Sequence, residues 1–135
     1  MTPLEGPDSV RPLLDIAIEN AQEGCVRETF GALLAWIQSA SATEPHLQRA
    51  LRGIARDETE HAKLAFAVAE FCASRLSEIE RQTVQQAQQA AVADLGCHLQ
   101  QRPDAELQAQ IGLPSFEVAQ RLFAETKREL WDAWA

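Results

Sequence analysis

Between Pro12 and Pro103 the chain contains a single proline, Pro45, and this constrains the fold more than any other feature. A proline inside a helix costs ~3 kcal/mol or more, so its absence leaves two stretches of about 30 residues free to be helical throughout. The first is predicted over residues 12–40. Thr43-Glu44-Pro45 offers an N-cap followed by proline in the first turn, which opens a second helix running to about Leu76. Gly53 interrupts it at a cost of only ~1 kcal/mol. Each helix would be ~45 Å long, and residues 42–44 leave room for nothing but an antiparallel hairpin. One hairpin cannot bury its own apolar faces. It needs a second pair, from the rest of the chain or from another chain.

The remainder is consistent with one domain over residues 1–135. An irregular lead-in (1–9) precedes the hairpin region (10–76), and accessory helices fill 77–135. A third helix is expected through the glutamine-rich stretch 82–101, stopped by Pro103. Gly112-Leu113-Pro114 marks a turn, and Ser115 caps a short last helix carrying Phe116, Leu122, Phe123, Leu130, Trp131 and Trp134. The fold class is therefore all-α.

A net charge of −8 argues against nucleic acid and anionic membrane surfaces as partners. Cys25, Cys72 and Cys97 are odd in number and widely spaced. They read as small buried hydrophobes in a reducing compartment. With no signal peptide and no long apolar run, a soluble cytoplasmic protein is the expectation.

Glu58-Thr59-Glu60-His61 carries the chemistry. At ~100° per residue, Glu58 and His61 lie about 60° apart on the sector that holds Leu47, Leu51, Ile54, Ala65, Val68 and Cys72. A carboxylate on a buried apolar stripe costs several kcal/mol unless something positive meets it, so the pair reads as half of a metal site. Two first-helix carboxylates compete to join it. Glu28 stands level with Glu58 when the hairpin folds at residue 43, while Glu23 shares the sector of Ile16, Val26, Phe30 and Ile37. The bland alternative is a polar pair between Glu58 and His61 in a bundle core. Asp57 and Glu60 read as solvent carboxylates, with Asp57 a candidate to support the histidine. His46 reads as exposed at a helix start, His98 as a surface or interface histidine, and the tryptophans as packing anchors.

Glu on one long helix and E-x-x-H on the next resembles the ferritin-like di-iron carboxylate superfamily. The wording EGCVRETFGALLAWIQSA, then IARDETEHAKLAF, then IGLPSFEVAQRLF…LW is similar to the second half of uncharacterised bacterial ferritin-like domain proteins. That resemblance aligns Glu23 with the first-helix ligand, Glu28 being the alternative, and gives Glu23, Glu58 and His61 as the metal set. The complete site of the superfamily takes four carboxylates and two histidines, and this chain holds one set. Asp94 and His98 make a poor second, and Glu117, Glu125 and Glu129 have no histidine beside them. The resemblance therefore implies a ferritin-like hairpin that dimerises into a four-helix bundle, as in the encapsulated ferritins. The implied cofactor is a di-iron centre shared across a homodimer, with Mn or Zn as substitutes, or a centre completed by a separate chain carrying the second hairpin. The implied activity is of ferroxidase, oxidase or peroxidase type. Absence of tyrosine excludes a tyrosyl radical. The competing function is a non-catalytic assembly module with a structural or vestigial metal.

Overall fold

The structure is a computed structural model that describes residues 11–100 and 112–134, without the side chain of Trp134. Helices dominate the described residues. Leu13–Glu19, Asn20–Glu28 and Thr29–Ser41 run on without a break and are called α1. α2 is Pro45–Arg75 and α3 is Glu78–His98. Phe116–Thr126, Lys127–Trp131 and Asp132–Trp134 form α4. The predicted lead-in at 1–9 and the stop at Pro103 lie outside the described residues.

Side chains at the helix starts satisfy backbone N–H groups that have no partner within the helix. Glu44, within the predicted Thr43-Glu44-Pro45 start, is the cap of α2 and accepts from the N–H of His46 and Leu47 at 3.0 and 2.7 Å. Ser77 and Glu80 form a reciprocal capping box, so α3 begins four residues before the predicted Gln82. Ser115 caps α4 as expected, accepting from Val118 N–H. Gly112 takes φ +75°, and a Cβ there would come within 2.8 Å of Ala42 N and Gln38 O. Glycine is thus required where the chain packs on the end of α1.

α1 and α2 form the predicted antiparallel hairpin, with Asn20 opposite Ala65 and Trp36 opposite Thr59. α1 is the middle element, because it carries two buried stripes of different character. Towards α2 it presents small residues: Ala17, Ala21, Gly24, Ala32, Ala35 and Ser39 are all buried. Away from α2 it presents bulk. Val26 and Phe30 pack with Ala91 and Val92 of α3 and Trp131 of α4, and Leu34, Leu95, Leu122 and Phe123 surround them. A smaller cluster closes the Leu13 end, where Ala17 meets Cys72 and Leu76. Phe30, Phe123 and Trp131 form a ring cluster with centroids 5.9–6.3 Å apart, the range of favourable tilted and edge contacts.

Sequence periodicity did not predict that Asn20–Glu28 would be wound as a π-helix. Side chains claim the backbone groups this winding displaces. Thr29 Oγ1 donates to Gly24 O at 2.9 Å, and Trp131 Nε1 donates to Cys25 O at 2.8 Å. Asn20 Nδ2 donates across the seam to Ala65 O at 2.8 Å. The backbones approach so closely here that a Cβ on Gly24 would lie 2.5 Å from Ala65 Cβ. Such segments are uncommon and recur at functional sites.

Two of the three cysteines are buried as predicted, and Cys97 is a correction, since it is exposed. Trp131 is the expected anchor. Trp36 is 38 % exposed and donates to Thr59 Oγ1 at 2.8 Å, so it packs on one side only. Trp134, the third predicted anchor, has its side chain outside the described residues.

Candidate metal centre

Glu28, Glu58 and His61 each place one ligand atom within 4.8 Å of the other two. Glu58 and His61 come from one turn of α2, their nearest atoms 3.8 Å apart (Oε1 to Nδ1). Glu28 comes from α1 at the end of the π-helical segment. No other group of three or more such side chains comes together among the described residues.

The sequence offered two first-helix carboxylates, and the structure gathers Glu28. Glu23 lies outside the cluster, half-exposed and paired with Arg27 at 2.5 Å, and Arg27 reaches Asp94 of α3 at 3.4 Å. The choice follows from which stripe of α1 faces α2. The sector of Ile16, Val26, Phe30 and Ile37 is the one expected to face α2, yet Val26 and Phe30 face α3 and α4. The small-residue stripe faces α2, and Glu28 extends it. Ala32, Ala35 and Ser39 follow Glu28 by four, seven and eleven residues, each within about 40° of its direction. The sequence signal for the α2-facing side is a stripe of alanine and serine, which carries less apolar bulk than the opposite stripe.

Burial also differs from the expectation. None of the three side chains is buried: those of Glu58 and His61 are 34 % and 57 % exposed. The apolar sector around them is open as well, with Ile54 52 % exposed, while Leu51, Ala65 and Cys72 are buried. Within one chain, then, Glu58 and His61 stand on a flank of the hairpin, at the edge of the stripe and not in its middle. On the same flank Glu28 borders a shallow recess that also involves Ile16 and Glu23.

The remaining candidates sit apart. Asp57 and Glu60 are exposed, and Glu60 pairs with Lys63 at 3.2 Å. His46 is exposed beside Arg49, and Asp94 and His98 are exposed on α3. Cys25, close in sequence to Glu28, is buried, and burial pushes its thiol up to about 11. A protonated, inaccessible thiol of that kind is a packing group and not a ligand.

The donor set is chemically suited to a divalent transition metal. Carboxylate and imidazole bind at ~2.0–2.2 Å, which puts ligand atoms ~3 Å apart when adjacent and ~4 Å when opposed. The three ligand atoms, within 4.8 Å of one another, are spread slightly wider than that. No known family model matches the chain, and neither curated proteins nor solved structures provide a match.

Proposed function

We infer that this chain is a ferritin-like metal-binding protein, in which two copies meet flank to flank and complete a di-iron carboxylate centre of ferroxidase or oxidase type. The observation that carries this reading is the convergence of Glu28, Glu58 and His61 from facing helices. Doubled by a two-fold axis, that set supplies four carboxylates and two imidazoles, the count that the superfamily's pattern requires. Four carboxylates also neutralise two divalent ions, so the centre could be covered by a partner without leaving uncompensated charge. Exposed Ile16 and Ile54 give the flank apolar surface for such a partner. A separate chain with an equivalent hairpin would serve the same role.

In the assembled centre Glu28, Glu58 and His61 hold and orient the metal, and the opposed hairpin excludes bulk water from it. Iron held by these residues would supply paired electrons for reducing oxygen or peroxide. Iron suits a mixed oxygen and nitrogen set, and Mn or Zn would occupy the same donors.

Anaerobic loading with Fe(II), desalting and iron analysis test the reading, alongside sedimentation. The expected result is about one iron per chain in a dimer, lost in Glu28→Gln and in His61→Ala. A folded wild type that retains negligible iron would overturn it. Retained iron with no oxygen consumption would select the structural-metal module over the oxidase.

A further inference from the structure

Thr29 follows Glu28 directly, is buried, and grips its helix differently from the other threonines. The hydroxyls of Thr59, Thr83 and Thr126 each donate to the carbonyl four residues back, as helical threonines usually do. Thr29 Oγ1 donates five residues back, to Gly24 O at 2.9 Å. An α-helix pairs residues four apart and a π-helix pairs residues five apart, so this hydroxyl bonds in the π register. Thr29 is also the first residue after the π-helical segment Asn20–Glu28.

Both ends of that bond lead to the candidate metal centre. Gly24 lies so close to Ala65 that a Cβ added to it would be 2.5 Å from Ala65 Cβ. Ala65 is four residues past His61 on α2, about one turn along the same side. At the other end, Thr29 shares a peptide bond with Glu28. The hydroxyl therefore closes a path from His61 through Ala65 and Gly24 to Glu28. A slip of one residue in helical register turns a side chain by about 100°. Such a slip would carry Glu28 off the stripe that faces α2 and away from Glu58 and His61.

We propose that Thr29 is a positioning residue for the metal centre: its hydroxyl holds the π register of α1, and that register keeps Glu28 turned towards Glu58 and His61. The role rests on the metal-binding reading, with Glu28 as a ligand, and Thr29 acts only through that carboxylate.

Co(II) is a suitable probe, because its visible absorption reports the ligand set as well as the affinity. Thr29→Val and Thr29→Ala both lack the hydroxyl. Whichever of them is folded by circular dichroism should bind Co(II) about tenfold more weakly than wild type, with the absorption spectrum of Glu28→Gln. Thr29→Ser keeps the hydroxyl and should bind within about twofold of wild type. Added to Glu28→Gln, the same substitution of Thr29 should weaken binding no further. Wild-type affinity and spectrum in a folded variant without the hydroxyl would overturn the proposal. So would a Thr29→Ser as weak as Thr29→Ala, or an additive loss in the double variant. Failure of the metal reading is distinct: wild type then binds no Co(II), or Glu28→Gln binds it equally well, and the positioning role falls with it.

Discussion

The two sides of α1 solve opposite problems. Towards α3 and α4 it presents Val26 and Phe30, which are fully buried in one cluster with Trp131. Towards α2 it presents alanine, glycine and serine, which contribute little apolar area but let two backbones come close. Stability is concentrated on the bulky side, and the chemistry-bearing side chains sit on an edge of the thin one. Small residues along a seam bring facing helices near enough for carboxylates and an imidazole to converge. The same thinness leaves those groups open to solvent until something covers them.

This division predicts that the two sides can be damaged separately. Trp131→Ala should have the largest effect on folding. It opens the aromatic cluster and leaves Cys25 O without its donor, at a cost of about 3–5 kcal/mol in chemical denaturation. If the comparison holds, whatever remains folded still retains iron.

Cys25 provides a second probe of the buried side. Its thiol ionises near 9.0 when exposed and at about 11 when buried, so the native state holds its proton more tightly than the unfolded state. The resulting stability is complete below pH 9 and is lost as pH rises towards 11. Two units correspond to about 2–3 kcal/mol. Denaturation curves for wild type and Cys25→Ala between pH 8 and 11 should therefore converge as pH rises. Parallel curves would mean that the thiol is not held neutral by burial.

Gly24→Ala tests the seam, since its Cβ would overlap that of Ala65. A loss of about 1–3 kcal/mol is expected, together with weakened iron retention as the helices are pushed apart. Glu28→Gln and Glu23→Gln sharpen the distinction further. Both should melt within about 0.5 kcal/mol of wild type without metal, as exposed substitutions usually do. Only Glu28→Gln should lose iron. The reverse pattern would restore Glu23 as the ligand. Trp36→Phe should be milder than Gly24→Ala, removing the hydrogen bond to Thr59 for about 0.5–1.5 kcal/mol.

Much of this architecture was legible in the sequence. Pro12, Pro45 and the three residues before Pro45 were enough to expect a hairpin of two long helices, and Ser115 marked the start of the last helix. Glu58 and His61 were legible as a pair because their spacing is local. The first-helix partner was harder, since it depends on which stripe of α1 meets α2. Hydrophobic bulk identifies a buried face but not the neighbour that buries it. The Ser77–Glu80 box is written in the sequence as S-x-x-E, just ahead of the glutamine-rich stretch that suggests the helix. The π-helical segment has no comparable local signature. It is held by Trp131 and Asn20, whose partners lie 106 and 45 residues away.

The bond from Trp131 to Cys25 also sets an order of assembly. During synthesis the hairpin's last residue is made more than 50 residues before Trp131. At ~5–20 residues per second, Cys25 O waits several seconds for its donor. The segment that ends at Glu28 is thus among the last parts of the nascent protein to be locked, after both long helices are available to pair.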